Sequence, residues 1–176
     1  MNPAGYLIER LDAAHANAAL PELAQILIDC VATGAGVSFL HPLSLEKAEA
    51  FWRGEVLANV MSGDTVLFVA WHGGRIIGTV QLVVGMRENQ PHRGEIAKLL
   101  VAPAERRQGV ARALMEAAQA HAKSIGKTLL LLDTETGGLA EQLYLSMGWH
   151  EAGVVPGFAL TTHGELCACT YLYKVL

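Results

Sequence analysis

One run of residues, Glu95 to Asp133, limits what this chain can fold into. Its first part, Glu95-Ile-Ala-Lys-Leu-Leu-Val101, has the length and apolar content of a strand. A basic loop follows. After Gly109 comes a segment in which Ala111, Leu114, Met115, Ala118, Ala122 and Ile125 recur at helical spacing, with Arg112, Glu116, Gln119 and Lys123 on the opposite face. Gly126 stands where a helix ends in a left-handed residue. Leu129 to Leu132 is then an unbroken apolar run ending at Asp133. Strand, crossover helix and apolar strand make a parallel pair with a right-handed connection, and the second strand is expected to be buried on both faces.

The turn into that helix has chemistry of its own. Gly109 has no Cβ and lets the backbone turn tightly. The first N–H groups of a helix have no partner inside it and lie at the positive end of its dipole. Arg106, Arg107 and Arg112 surround the same point. An anion, above all a phosphate, suits such a place. The same residues also read as a solvated turn with surface arginines. The Gly-Lys-Ser/Thr ending of a nucleotide P-loop is missing, as are the spaced glycines of a dinucleotide fingerprint.

Arg106-Arg107-Gln108-Gly109-Val110-Ala111 resembles the Arg/Gln-x-x-Gly-x-Gly/Ala signature of the GNAT superfamily of acetyl-CoA-dependent N-acetyltransferases. The resemblance implies that the backbone from Arg106 to Arg112 holds the pyrophosphate of coenzyme A. It also implies that the backbone of Leu99, Leu100 and Val101 pairs with the pantetheine amides like an added strand.

The rest of the chain falls into the order such a fold requires. Tyr6 to Leu11 is a short strand candidate, and Pro21 to Ala32 is a helix with Leu23, Ile26, Leu27 and Cys30 on one face. Ser44 caps a second helix running to about Met61, with Leu45, Ala48, Phe51 or Trp52, and Val56 or Leu57 inward. Thr65–Trp71 and Ile76–Val84 flank the turn His72-Gly73-Gly74-Arg75 as a hairpin. Leu139 to Met147 reads as a short helix stopped by Gly148, and Trp149–Leu160 with Leu166–Val175 as a last antiparallel hairpin. The expectation is one α+β domain over residues 1–176, in the order β-α-α-β-β-β-α-β-α-β-β. Its mixed sheet is mostly antiparallel. The resemblance adds that the central parallel pair splays apart.

Composition removes several alternatives. Of 176 residues, 52% are hydrophobic and 17% charged, enough for a core and too apolar for disorder. A net charge of −4 leaves no basic stripe for nucleic acid. Glu9, Arg10 and Asp12 interrupt any apolar leader, and no stretch is long enough to span a membrane. Cys30, Cys167 and Cys169 form no disulfide framework, which points to reduced thiols and a cytoplasmic protein. Cys167 and Cys169 have no second ligand pair at zinc spacing, and no His-x-x-x-His pair occurs, so no metal site is expected.

Acetyl transfer to an amine needs the thioester held close, a proton removed from the amine, and a proton or its equivalent for the leaving thiolate. Tyr144 lies on the helix after the fifth strand, four residues before Gly148-Trp149. The GNAT resemblance implies that its hydroxyl faces the sulfur. As a base, three carboxylates stand out: Glu95, Asp133 and Glu135, the last two at the carboxyl end of a parallel strand, where ligands gather. Each also reads as a solvated or capping group, and a water relay could replace them.

Gly34-Ala-Gly-Val-Ser-Phe39, Glu95-Ile-Ala-Lys-Leu-Leu-Val101, Leu132-Asp-Thr-Glu-Thr-Gly137, Pro156-Gly-Phe-Ala-Leu160 and Tyr171-Leu-Tyr-Lys174 resemble the tabtoxin-resistance type of GNAT enzyme. That likeness implies a small amino-acid-like amine, toxin or antibiotic as acceptor, with Phe39 beside it; Trp149 reads as a packing residue or as a border of the same pocket. The alternatives kept open are a non-catalytic acyl-CoA sensor and an acetyltransferase acting on protein amines. A homodimer is left open.

Overall fold

The computed structural model describes residues 5–176. Seven strands form one sheet: β1 (Leu7–Leu11), β2 (Thr65–His72), β3 (Arg75–Val83), β4 (Arg93–Val101), β5 (Leu129–Glu135), β6 (His150–Leu160) and β7 (Leu166–Val175). Their spatial order is β1-β2-β3-β4-β5-β7-β6. Only β4 and β5 run parallel; every other neighbouring pair is antiparallel. This is the mixed α+β sheet that the apolar pattern and turn residues imply.

The helices are α1 (Ala13–Ala18), α2 (Leu20–Ala32), α3 (Leu45–Phe51), α4 (Leu57–Ser62), α5 (Val110–Ser124) and α6 (Leu139–Ser146). The one-turn helix α1, capped by Asp12, was not signalled by any apolar period. The helix expected from Ser44 to Met61 is broken. Ser44 does cap α3, but Trp52–Val56 forms a π-turn between α3 and α4. The wider turn brings Ala48, Trp52 and Val56 inward, and Leu45 is exposed rather than buried. A π-turn inserts an extra residue into the helical ladder, and such turns concentrate at functional sites.

Two apolar layers flank the sheet. α5 covers one face with Val110, Leu114, Met115, Ala118 and Ala122, packed on Val80, Leu82, Ile96, Leu130 and Leu132. Each fully buried Leu of this kind contributes about 1.5–3 kcal/mol. α2, α3 and the π-turn cover the other face, over Leu67, Val69, Ile76 and Leu100. Gly78 on β3 permits the close approach of α5: a Cβ there would stand 2.9 Å from the Leu100 carbonyl oxygen and 3.1 Å from a methyl of Leu114.

β5 is not buried on both faces. Leu130 and Leu132 are buried under α5 and its neighbours, whereas Leu129 and Leu131 are half-buried and Asp133 is exposed. The reason is that helices cover the second face only as far as β4. The edge strand β6 is exposed along nearly its whole length. Pro156 and two breaks in its register with β7 disturb that edge, as open edges in native sheets commonly are.

Candidate active site

β4 and β5 pair only through Arg93–Leu129, Gly94–Leu130 and Glu95–Leu131. Beyond that point β4 keeps β3 and β5 keeps β7, but the two strands no longer bond to each other. Two facing rows of backbone donors and acceptors are thus left without each other, and such groups need partners from water or a ligand.

β4 carries a second irregularity in the same stretch. Its register with β3 shifts between Gln81–Ala97 and Thr79–Leu100, and Lys98 takes a left-handed φ of 49°. This is a β-bulge, and it inverts the alternation of the strand. Ile96 faces the α5 side before the bulge; after it, Leu99 and Val101 face that side and Leu100 turns to the other. The run Leu99-Leu100-Val101 conceals the bulge from a sequence reading, because three consecutive apolar residues carry no period.

At the carboxyl end of β4 the chain passes through a 3-10 turn, Pro103–Glu105, into the basic loop. Arg107 and Gly109 both take left-handed φ values, 65° and 83°. For a residue with a Cβ this conformation costs about 1–2 kcal/mol. Left-handed residues in such a turn aim successive N–H groups at one point, a backbone nest for anions. Gly109 is the N-cap of α5, and no side chain caps that helix. The Tyr6 hydroxyl lies 3.5 Å from where a Cβ of Gly109 would stand.

The arginines separate in role. Arg106 turns back: its Nε donates to the Val101 carbonyl at 3.3 Å and its NH2 to Thr33 Oγ1 at 2.9 Å, so it ties the end of β4 to α2. Arg112 donates to Ser146 Oγ at 2.8 Å and joins α5 to α6. Gln108 donates to Glu105 at 3.2 Å. Arg107 is exposed at the loop. Val110 is buried beneath the loop and Ala111 half-buried. Of the three arginines expected around the anion, Arg106 and Arg112 also brace the loop through these hydrogen bonds, and Arg107 is exposed beside the left-handed turn.

Tyr144 sits on α6, 6% exposed, its ring 6.1 Å from that of Trp149. Burial, with the Asp133 carboxylate adding to it, pushes its phenol well above the usual tyrosine range. The group keeps its proton and can donate it in a hydrogen bond.

Glu95, Asp133 and Glu135 share the sheet face opposite α5. Leu130 and Leu132 point to α5, so Leu131, Asp133 and Glu135 point away, and Glu95 is in register with Leu131. Glu95 is held by Arg93 NH1 at the closed end of the split. Asp133 and Glu135 lie beyond the last β4–β5 pair, at the open end. Cys169, across on β7, donates its thiol to Asp133 Oδ2 at 3.5 Å. Burial and the Asp133 charge push that thiol up to about 11, which keeps it protonated and a poor nucleophile. Gly36 places backbone against Glu135, with 3.5 Å from a virtual Cβ to Oε2. The His41 N–H donates to the Thr162 carbonyl at 2.8 Å, so the segment after α2 closes onto the β6–β7 turn.

A sequence profile of the Acetyltransferase (GNAT) family matches residues 36–149. The chain belongs to the GNAT family. It is 32% identical over 128 residues to an uncharacterised N-acetyltransferase encoded in the hisH–hisA intergenic region of Azospirillum brasilense, covering 72% of this chain and 73% of that one. Its fold is similar to that of a ribosomal-protein-alanine N-acetyltransferase from Brucella melitensis, with a TM-score of 0.77, 23% identity, and 97% and 99% of the two chains covered. It is equally similar to yncA of Salmonella typhimurium, solved with its cofactor acetyl-CoA: TM-score 0.77, 18% identity, 98% and 94% covered. The GNAT sheet with one parallel pair is the sheet observed here.

Proposed function

We propose that this GNAT protein transfers the acetyl group of acetyl-CoA to the primary amine of a small amino-acid-like molecule, by direct attack while both are bound. The observation that carries this is the parting of β4 from β5 directly behind the uncapped, nest-like start of α5. The edge of β4 at Leu99, Leu100 and Val101, which has β3 on one side and no longer has β5 on the other, fits the amides of a pantetheine arm, and the loop from Arg106 to Arg112 fits a pyrophosphate. Acetyl-CoA, when bound, supplies an acyl group activated as a thioester.

The residues of the chain then divide the work. Asp133 is exposed at the open end of the split and accepts the proton that the amine loses, directly or through water, with Glu135 farther out along the strand. Glu95, paired with Arg93, supports the field there and is not the acceptor of that proton. The new nitrogen–carbon bond forms as the carbon–sulfur bond breaks, and Tyr144 offers its phenolic proton to the departing sulfur. Desolvation that weakens the phenol as an acid also destabilises a thiolate in the same place and makes it a stronger base, so the two stay matched. The protonated state of Cys169 argues for direct transfer over a cysteine-bound intermediate.

The closure of the segment after α2 onto the β6–β7 turn favours a small acceptor over a peptide lying in an open groove. The resemblance to tabtoxin-resistance enzymes points the same way. The test is calorimetric titration with acetyl-CoA, followed by thiol release across a panel of amino acids, polyamines and amine antibiotics. Saturable binding and turnover with at least one small amine are expected. Absence of binding overturns the reading, and binding without turnover in any arm turns it into a sensor.

A further inference from the structure

Three backbone irregularities converge on one cleft that the acetyl-transfer chemistry leaves unused. Lys98 occupies the β4 bulge at φ 49°, and Ser38, in the segment after α2, has φ 74°. The third irregularity is the π-turn Trp52–Val56. Residues held in rare conformations gather where function requires them. The cleft between these elements has a volume of about 430 Å3 and is lined by Ser38, Phe39, Lys47, Phe51, Glu55 and Lys98.

Its charge is unbalanced, with two lysines against the carboxylate of Glu55. Lys98 is half-buried, yet among the described residues no carboxylate forms an ion pair with it. Its ammonium lies 3.4 Å from Ser38 Oγ and 5.6 Å from the centre of the Phe51 ring. An ammonium has three donors, and a hydroxyl with one aromatic face does not satisfy them. Burial lowers its pKa, and the more distant Glu55 and Asp133 offset this only in part. Lys47 lies over the Phe39 ring at 5.8 Å, and Phe39 meets Phe51 edge-on at 5.2 Å. Two lysines facing one carboxylate across a cleft, with no ion pair at Lys98 among the described residues, leave donors and positive charge that a compact anion would complement.

We propose that this cleft seats an anionic group of the acceptor, a carboxylate or similarly compact anion, paired by Lys98 and, at the rim, by Lys47. The inference rests on the acetyl-transfer reading above and narrows it. The acceptor is amphoteric, its anion on the two lysines and its reactive amine toward the carboxylate side at Asp133. Phe39 and Phe51 take up the carbon skeleton between. Lys98 is thus a specificity-determining residue, placed by the same bulge that breaks the strand period.

Matched acceptors test this: free amino acids, their carboxamides and aminophosphonates, with thiol release from acetyl-CoA as readout. The free acids or phosphonates are expected to exceed the carboxamides in kcat/KM by about 10- to 100-fold, the range for a lost hydrogen bond to a charged group. In Lys98→Met, which keeps the backbone conformation and the aliphatic stem, the ratio of acid to amide collapses toward one through KM for the acid. KM for acetyl-CoA holds, and Lys98→Arg restores part of the ratio. Lys47→Met shows a smaller effect. Independently of turnover, the 13C-methyl signal of reductively methylated Lys98 shifts when a preferred acid is added to the CoA-saturated protein. Equal use of acid and amide, or a Lys98 signal that no acid moves, overturns the proposal while acetyl-CoA binding still stands. Loss of acetyl-CoA binding itself would overturn the parent reading instead.

Discussion

At the scale of single residues, Tyr144 and Asp133 make the sharpest claims. Tyr144 is buried and keeps its proton, so Tyr144→Phe removes a donor and little volume. Turnover is expected to fall by about 10²–10⁴-fold, the usual worth of positioned acid catalysis, while calorimetry finds acetyl-CoA affinity unchanged. Because the phenol is held above its ordinary range, its deprotonated form arises only at higher pH than for a free tyrosine. The kcat profile should therefore show no descending limb from this group up to about pH 10, where an ordinary tyrosine titrates. The three carboxylates are separated by their surroundings. Glu95 is tied to Arg93 at the closed end, whereas Asp133 stands at the open end. Steady-state kinetics of Asp133→Asn should show a deeper loss of kcat than those of Glu95→Gln; the reverse order would reassign the base.

At the scale of elements, the start of α5 depends on what lies beneath it. Gly78 lets the first turn of α5 rest on β3, and Arg112 and Arg106 brace it against α6 and α2. Gly78→Ala forces a methyl against the Leu100 carbonyl, which cannot yield without moving β4. Overpacking of this kind costs about 1–3 kcal/mol, readable as a lower midpoint in urea unfolding. Since the displaced turn is the one proposed to hold the pyrophosphate, the variant should also bind acetyl-CoA more weakly. The tight, glycine-led turn at Arg106–Ala111 and the helix it opens were legible from residue types alone. The bracing by Arg106 and Arg112 was not, because Thr33 and Ser146 are remote in sequence and meet them only after folding.

At the scale of the whole molecule, helices cover the second face of the sheet only as far as β4, and the candidate site lies where that cover stops. The split between β4 and β5 leaves backbone groups that a bound ligand would pair, so ligand binding and stability are linked. With acetyl-CoA at about 100 times its Kd, linkage adds about 2.7 kcal/mol. For a chain of this size that corresponds to a rise in Tm of roughly 5–10 °C. Thermal denaturation with and without the ligand checks it, and no shift even at high ligand concentration would mean that the folded protein does not bind acetyl-CoA, which overturns the reading of the split. No helix among the described residues is long and apolar enough to cross a membrane.

The order of the strands, the parallel central pair and the glycine-led helix start were determined by local residue patterns, whereas α1 and the break between α3 and α4 were not. Apolar period, turn residues and caps act within a few residues of themselves and can be read without a fold. The bulge at Lys98, the π-turn at Trp52 and the exposed side of β5 were decided by tertiary structure alone. Each depends on which layer lies against the chain: the alternation of β4 inverts to keep Leu99 and Val101 under α5, and β5 opens where no helix covers it. Local sequence places Lys98 in a strand, and only the packing of α2, α3 and the π-turn around it makes it a half-buried cation in want of an anion.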